Sequence, residues 1–259
     1  AGLPEDAFVF ACFNGMQKIT EETFAQWMKI LVATPGSVLW LLSGNDNVDQ
    51  RLRQAAEKAG VAPERLIFAP KAPNAKHLAR IAVADLFLDT FPYGAHSTAA
   101  DALTMGLPVL TFPGKSFAAR FCHSIVAAAG IAELICDGPA QYVERAVAFA
   151  RDPASLLAIR KSLEAKRDTS TLRDIPALAR RLEELFWQMQ AECERGETPV
   201  PDLCNLDLYY EIGAELVQNN IAFLDDRTYR QQYLRKLAEW HDYAPIPHDT
   251  RLWTKAASE

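Results

Sequence analysis

The stretch LFLDTFPYGAHSTAADALTMGLPVLTFP, Leu86–Pro113, holds two apolar runs separated by a polar loop and a helical pattern. The runs LFLDT (Leu86–Thr90) and PVLTFP (Pro108–Pro113) are nearly continuous in hydrophobicity rather than alternating. That pattern is typical of strands buried on both faces, as in parallel sheets. Between them, Ser97–Met105 has the composition of a helix, and Thr-Met-Gly makes a tight turn into the second run. The stretch therefore predicts strand, helix and strand in succession.

The same alternation extends over the first two-thirds of the chain. Further apolar runs, predicted as strands, lie at Phe8–Phe13, Ser37–Ser43, Arg65–Pro70 and Glu133–Cys136. The other helical patterns cover Thr20–Ala33, Asn47–Ala59, Asn74–Ala84, Ser116–Ala129 and Pro139–Arg151. Thr20 precedes two glutamates and is a candidate N-cap. Strand and helix in repeated alternation predict an α/β fold with a doubly wound, Rossmann-like parallel sheet.

After Asp152 the strands stop and amphipathic helices follow. We predict three parts: a Rossmann-like domain at 1–152, closing helices at 153–196, and a C-terminal helical extension at 197–259. A Pro-containing linker, Glu197–Asp202, opens the extension, which reads as a helical hairpin with about fifteen irregular residues at its end. The Tyr, Trp and Phe side chains of all the helical segments after Asp152 are predicted to serve packing.

Composition narrows the class of protein. Of 259 residues, 49% are hydrophobic, which suffices for a sizeable core, and the net charge is -6. The negative charge argues against broad binding of nucleic acid or anionic membranes. No apolar run approaches the roughly 20 residues that a membrane helix needs. The first residues have no basic segment and no Met, so we expect an excised piece of a longer protein rather than a signal peptide.

The five cysteines are odd in number and far apart, and no CxxC occurs. Neither a zinc site nor a disulfide framework is indicated, and reduced thiols in the cytosol are expected.

Ligands of open parallel sheets bind beyond the carboxyl ends of the strands. After the fourth strand, Ser97 and Thr98 fall where a helix begins, and helix N-termini hold phosphates well. His96 precedes them, and Asp101 lies one turn in, within reach of a ribose hydroxyl. The purely structural alternative has Ser97 as the N-cap and Asp101 in the first turn.

Two further junctions carry polar groups. Lys18 follows the first strand and is placed to neutralise a diphosphate, although an isolated surface lysine is usually only solvated. After the third strand, two prolines hold an extended loop whose backbone suits the edge of a flat base. His77 and Arg80 then share a helix face; the alternative for His77 is a structural or solvated role.

Several common nucleotide motifs are absent from the sequence. There is no GxGxxG and no GxxxxGK[ST], so neither a dinucleotide site nor a Walker ATPase is supported. No DxD-like pair follows a strand, so no metal is expected between carboxylates.

Taken together, the junction sequences resemble a known family. FNGMQKI, SVLWLL, RLIFAPKAPNAKHLAR, ADLFLDTFPYGAHSTAADAL and GLPVLTFPGKSFAAR occur in the order and spacing of the C-terminal catalytic half of the SPINDLY/O-linked N-acetylglucosamine transferases, glycosyltransferase family 41. The resemblance covers roughly residues 2–190, with LARRLEELFWQMQ as the closing helix. It implies the C-terminal half of a GT-B glycosyltransferase, with 1–152 as its nucleotide-sugar-binding domain and 153–196 as the closing helices of that half. This half is usually preceded by tetratricopeptide repeats that present the protein acceptor.

The resemblance also implies roles for individual residues. Lys18 matches the catalytic lysine that contacts the diphosphate and helps the leaving group depart. The remaining matches are nucleotide-sugar-binding positions: the backbone of Ala72 on the uracil edge, His77 stacked on the uracil, Arg80 near the base, His96, Ser97 and Thr98 on phosphate and sugar, and Asp101 on the ribose.

The family inverts the anomeric centre and requires neither metal nor cofactor. Its donor is UDP-GlcNAc, its product UDP, and its acceptors are Ser and Thr of proteins. We therefore expect a cytoplasmic transferase whose isolated fragment binds the donor weakly and transfers nothing.

Two positions depart from the animal enzymes: Gly15 replaces a glutamine near the phosphates, and Asn74 replaces a lysine near the ribose. Plant SPINDLY proteins use a fucosyl donor on the same scaffold. The alternatives left open are therefore a GDP-fucose-using protein O-fucosyltransferase and a non-catalytic nucleotide-binding scaffold. A UDP-sugar epimerase is less compatible, because no suitable pair of carboxylates lies at the strand ends.

Overall fold

A computed structural model describes residues 2–196, 204–218, 225–249 and 251–258. The chain forms two compact units, residues 1–174 and residues 175–259. The predicted linker at 197–202 lies outside the described residues, and the three-part functional division of the chain stays a prediction.

The first unit is built on a five-stranded parallel sheet in the order β3-β2-β1-β4-β5. Its strands are β1 (Phe8–Cys12), β2 (Ser37–Leu42), β3 (Leu66–Ala69), β4 (Leu86–Leu88) and β5 (Val109–Leu110). The chain moves outward from β1 to β3 and then returns to place β4 on the other side of β1. The predicted doubly wound parallel sheet is confirmed, and its order reverses between β1 and β4.

Seven helices connect or follow the strands of this unit. They are α1 (Glu21–Ala33), α2 (Asp46–Lys58), α3 (Asn74–Ile81), α4 (Ser97–Thr104), α5 (Phe117–Ala128), α6 (Pro139–Arg151) and α7 (Pro153–Ala165). Thr20 caps α1 as predicted, since its side chain accepts a hydrogen bond from the Thr23 N–H. Single 3-10 turns cover Met16–Lys18, Pro63–Arg65 and Ala132–Leu134.

The sixth predicted strand, Glu133–Cys136, is reduced to one bridge between Thr111 and Ile135. Its first residues form a 3-10 turn, and only two backbone bonds join it to Thr111. α6 begins at Pro139, which has no N–H for a ladder, so the chain leaves the sheet edge before a strand can extend.

The core of the first unit lies on both faces of the sheet. Phe10, Leu39 and Phe87 are fully buried, and each such side chain contributes roughly 1.5–3 kcal/mol by leaving water. On one face, the Trp27 indole of α1 donates to the Tyr142 hydroxyl of α6 at 3.1 Å. The Tyr142 hydroxyl in turn donates to the Asp89 carbonyl at 3.0 Å. This chain of bonds ties the helix layer to the end of β4.

The second unit contains α8 (Ile175–Glu194), α9 (Leu206–Gln218), α10 (Asp226–Tyr243) and α11 (Lys255–Ser258). α9 and α10 pack against each other, as predicted for a hairpin, although residues 219–224 lie outside the described residues. Tyr209, Tyr233 and Trp253 are buried in its core, as predicted for packing aromatics. Phe186 and Trp187 are instead exposed on α8.

Most of the described residues after α10 are irregular, as predicted, and α11 is the exception. Asp249 is buried and accepts hydrogen bonds from the Tyr209 hydroxyl and the Asn205 amide. The Trp253 N–H donates to the Tyr209 hydroxyl at 3.1 Å. These polar contacts hold a segment predicted to be irregular against the α9–α10 pair.

Candidate functional site

The loops that follow β1 and β4 meet at the carboxyl edge of the sheet. Because β1 and β4 are neighbours, these loops are adjacent although 76 residues separate their contacts. The Asn14 amide donates to the Thr90 hydroxyl at 2.8 Å. The Lys18 ammonium donates to the Gly94 carbonyl, also at 2.8 Å. This is the edge, and the reversal of strand order, where open α/β sheets bind ligands.

Lys18 is held on two sides. Besides its bond to Gly94, its Nζ lies 3.9 Å from the centroid of the Tyr93 ring. Loss of solvent lowers the pKa of Lys18, and the negative charge of Asp89 opposes that shift. The side chain is therefore a partly desolvated, oriented cation rather than a freely solvated lysine.

The N-terminus of α4 is open. The helix begins at Ser97, so the N-cap position belongs to His96, and no side chain caps the helix. The interpretation of Ser97 as the N-cap is therefore wrong. The first intrahelical bonds run from Ala99 and Ala100 to the His96 carbonyl. Among the described residues, the N–H groups of Ser97 and Thr98 consequently have no partner and carry the positive end of the helix dipole.

His96 lies against this helix end in an aromatic setting. Its ring centroid is 5.3 Å from that of Tyr93 and 4.1 Å from that of Phe121. Burial, with the charge of Lys18 as a second cause, lowers the pKa of His96, which favours the neutral imidazole at pH 7. Its Nε2 is buried and has no hydrogen-bond partner within the described part of the chain. Lys18, His96 and the α4 N-terminus thus form one group.

A second group lies on α3. Arg80 Nε donates to His77 Nδ1 at 3.0 Å, and its Nη1 donates to the Pro70 carbonyl at 2.6 Å. Its guanidinium carbon is 5.1 Å from the centroid of the Phe13 ring, which also contacts His77 edge-on at 5.4 Å. Arg80 therefore fixes both the loop after β3 and the orientation of the His77 ring.

Asp101 links the second group to α4. Burial and Arg80 lower the pKa of His77, whereas the charge of Asp101 acts in the opposite direction. The carboxylate is therefore close enough to His77 for its field to be felt across the α3–α4 contact. Ala72 is half-buried in the preceding loop, and Asn74 is exposed as the first residue of α3, without a capping bond.

The glycine at position 15 is not required by the backbone, since φ is -59° and ψ is 143°. A Cβ there would lie 2.5 Å from Oε1 of Gln17, the flexible end of an exposed side chain. A larger residue would therefore need only a rotation of Gln17.

Sequence reasoning gave no role to Asp89, which follows β4 directly. Its carboxylate is buried, and desolvation raises its pKa against hydrogen bonds from four donors. Two of those donors, Thr111 and Cys122, lie 22 or more residues further along the chain, and no local pattern reveals them.

Other features of the molecule lie apart from this edge. An open groove of about 680 Å³ lies at the amino ends of the strands, lined by residues that include Gly36, Asp85 and Arg151.

In the described ranges no three His, Cys, Asp or Glu side chains are grouped to hold a metal ion. No helix of those ranges is both long and apolar enough to span a bilayer.

Comparisons with known proteins agree with this architecture. The chain is 36% identical over 189 residues to the probable UDP-N-acetylglucosamine–peptide N-acetylglucosaminyltransferase SEC of Arabidopsis thaliana, covering 73% of this chain and 19% of the relative. It is 34% identical to the UDP-N-acetylglucosamine–peptide N-acetylglucosaminyltransferase of Caenorhabditis elegans, over 78% of this chain and 18% of that relative. The probable UDP-N-acetylglucosamine–peptide N-acetylglucosaminyltransferase SPINDLY of Petunia hybrida is 32% identical, over 73% of this chain and 21% of that relative.

A solved structure has the same fold. A mutant O-GlcNAc transferase of Thermobaculum terrenum superimposes with a TM-score of 0.70 at 32% identity, covering 76% of this chain and 38% of that one. The chain thus spans about a fifth of the curated relatives' length. The sequence model of glycosyltransferase family 41 matches residues 1–182. On this match and these identities, the chain belongs to glycosyltransferase family 41.

Proposed function

We propose that this chain is the donor-binding half of a protein O-glycosyltransferase. In the intact protein it holds UDP-GlcNAc while N-acetylglucosamine passes to Ser or Thr of a protein acceptor. The observation that carries the proposal is the oriented Lys18 cation beside the uncapped α4 N-terminus, in a chain of family 41. Relatives named as UDP-N-acetylglucosamine–peptide transferases support the choice of donor.

The diphosphate occupies the α4 N-terminus in this proposal. The free N–H groups and hydroxyls of Ser97 and Thr98 donate to phosphate oxygens, and Lys18 supplies a full positive charge beside them. His96, neutral and with an unpartnered Nε2, contacts the phosphate or the sugar. Backbone donors at a helix end and a charged side chain together make a strong anion site.

The nucleoside lies along α3. The backbone of Ala72 reads the edge of the uracil, the His77 ring stacks on its face, and Arg80 holds His77 in place. Asp101 accepts hydrogen bonds from the ribose hydroxyls, and Asn74 lies near the ribose.

The reaction is an inverting displacement. The acceptor hydroxyl oxygen forms a bond to the anomeric carbon as the bond from that carbon to the β-phosphate oxygen breaks. The bonding electrons leave with UDP, and the hydroxyl proton passes to a base outside this chain. Lys18 and the α4 N–H groups stabilise the charge that develops on the leaving oxygen, and a single donor of this kind is worth roughly 2.7–4 kcal/mol. These groups provide the positive charge that a metal ion supplies in other transferases, so no metal or cofactor is included in the proposal.

The remaining partners belong to other parts of the intact protein. The acceptor is presented by the second GT-B half and by tetratricopeptide repeats, so the isolated chain binds donor but transfers nothing. A cytoplasmic location is proposed because Cys12, Cys122 and Cys136 are buried thiols and no disulfide joins the cysteines of the described residues.

The test is transfer of radiolabelled sugar to a Ser/Thr-containing protein acceptor by the intact protein, with UDP-GlcNAc and GDP-fucose compared as donors. We expect incorporation from UDP-GlcNAc only, and none with the 259-residue chain alone. Incorporation only from GDP-fucose would replace the proposal with the fucosyltransferase alternative. No incorporation from either donor would favour the non-catalytic scaffold.

A further inference from the structure

One buried oxygen atom closes the loop between β4 and α4. Asp89 Oδ1 accepts from the Thr90 N–H at 2.8 Å and from the Ala95 N–H at 2.7 Å. These donors stand at the two ends of the loop, so the carboxylate draws both ends to a single point. Oδ2 accepts from the Thr111 hydroxyl at 2.7 Å, and the Cys122 thiol is a further donor. Through Asp89 the loop is therefore anchored to Thr111, the residue after β5, and to α5.

The anchored loop carries the group that holds Lys18. Gly94 lies so close to Asp89 that a Cβ on Gly94 would be 3.1 Å from Asp89 Oδ2. The carbonyl of the same glycine accepts the Lys18 hydrogen bond. Within the loop, the Thr90 hydroxyl also donates to the Tyr93 carbonyl at 2.7 Å, and the ring of Tyr93 faces Lys18. The position of Lys18 consequently depends on a loop shape that Asp89 fixes.

The negative charge of Asp89 also helps to keep Lys18 in its cationic form. A buried carboxylate costs free energy unless it is paired and hydrogen-bonded. Its field favours the protonated form of Lys18 and so opposes the effect of desolvation on that cation. Asp89 itself is only 6% exposed and its acceptor sites are occupied, so it acts on a ligand through the loop and through Lys18.

We propose that Asp89 is a positioning residue of the donor site, holding Lys18 and the α4 N-terminus in the geometry that receives a diphosphate. This inference rests on the proposed function. It assigns Asp89 to the diphosphate part of the donor and not to the nucleoside part. Within the described residues, its carboxylate bonds to the β4–α4 loop, Thr111 and Cys122, and to no residue of α3.

The test compares UDP with uridine in calorimetric and NMR titrations of the 259-residue chain and its variants. In Asp89→Ala we expect UDP affinity to fall at least tenfold, with uridine affinity unchanged within about twofold. Asp89→Asn keeps an oxygen for the two loop N–H groups, so most of the affinity should return. A purely structural residue would instead weaken both ligands together.

The control is the aspartate at the opposite end of the same strand. Asp85 Oδ2 accepts from the Val9 N–H at 2.8 Å, at the amino edge of the sheet. Asp85→Asn should leave both affinities unchanged. If Asp89→Ala does not fold, Thr111→Val removes one donor to Oδ2 without altering the loop sequence, and a loss confined to UDP is again expected.

The outcomes separate the two proposals. If the unaltered chain binds neither UDP nor uridine, the proposed function fails and this inference fails with it. A second outcome is that the unaltered chain binds UDP while the folded Asp89 and Thr111 variants keep its ratio of UDP affinity to uridine affinity. In that case only the role of Asp89 is overturned.

Discussion

The Lys18 ammonium donates a 2.8 Å hydrogen bond to the Gly94 carbonyl, which joins the loop after β1 to the loop after β4. The cation is thereby oriented before any ligand arrives. Preorganised charge is more effective than charge that must reorient during the reaction, because no reorganisation is required as the leaving group departs.

Lys18→Met should lower the rate of transfer by the intact protein about 10²- to 10³-fold, the usual effect of removing one donor from a developing oxyanion. The loss should appear mainly in kcat, because the charge on the leaving phosphate grows in the transition state. Steady-state kinetics with UDP-GlcNAc check it. Lys29→Met, on the exposed face of α1, is the control and should retain full activity. Equal rates for the two variants would remove Lys18 from the mechanism.

The double substitution Ser97→Ala/Thr98→Ala should weaken UDP binding with little change in folding stability. Neither side chain caps α4, so we expect the free energy of unfolding to change by less than about 0.5 kcal/mol. Hydrogen bonds to a charged phosphate are each worth roughly 1.5–3 kcal/mol, so the loss of affinity should be tenfold or more. Chemical denaturation and calorimetry measure the two quantities.

The control for this double substitution is Asn45, whose side chain does cap a helix. The Asn45 side chain accepts from the Val48 N–H at 3.0 Å and caps α2. Asn45→Ala should lose about 1 kcal/mol of stability and leave UDP affinity unchanged. The reverse pattern in the two variants would show that the α4 hydroxyls are structural.

UDP affinity should fall on the alkaline side of neutrality. Binding an anion favours protonated Lys18, so affinity is complete below the pKa of Lys18 in the free protein and declines as pH rises through that value. Because desolvation lowers this pKa, the decline should begin at a lower pH than the ordinary lysine value of 10.5 implies. Titrations between pH 7 and 10 test it. Lys18→Met should show no such decline; an unchanged profile in that variant would assign the titration to another group.

Tyr142→Phe should destabilise the first unit by roughly 1–3 kcal/mol. The substitution leaves the buried Trp27 indole N–H without its acceptor and removes a donor from the Asp89 carbonyl. Thermal unfolding monitored by circular dichroism measures the loss. Tyr243→Phe is the control, because Tyr243 is 87% exposed and should change stability by less than about 0.5 kcal/mol. Similar stabilities for both variants would contradict the described bond network.

The sheet and most helix bounds were predictable because their signals are local. Thr20 caps α1 and α6 spans Pro139–Arg151, both as the sequence indicates. Continuous apolar runs likewise indicate buried parallel strands. Glu133–Cys136 has the same apolar character, but its pairing is limited to one bridge because α6 begins at Pro139. Apolar character alone does not indicate how far a strand pairs.

The site was predictable only in part. The resemblance named Lys18 and the residues around α4, but the bond from Lys18 to Gly94 follows from the adjacency of β1 and β4. The structural alternative, with Ser97 as the N-cap, placed the cap one residue too late. No local sequence pattern marks Asp89 as part of the site. Its carboxylate is buried by residues of the β4–α4 loop and of elements further along the chain.

We propose that a uridine diphosphate binds between Lys18 and the N-terminus of α4. The most direct measurement is a calorimetric titration of the chain with UDP and, separately, with GDP. We predict saturable binding of UDP, at least tenfold tighter than GDP, that is lost in Ser97→Ala/Thr98→Ala. Equal or tighter binding of GDP, or UDP binding that survives the double substitution, would show that this site does not hold a uridine diphosphate.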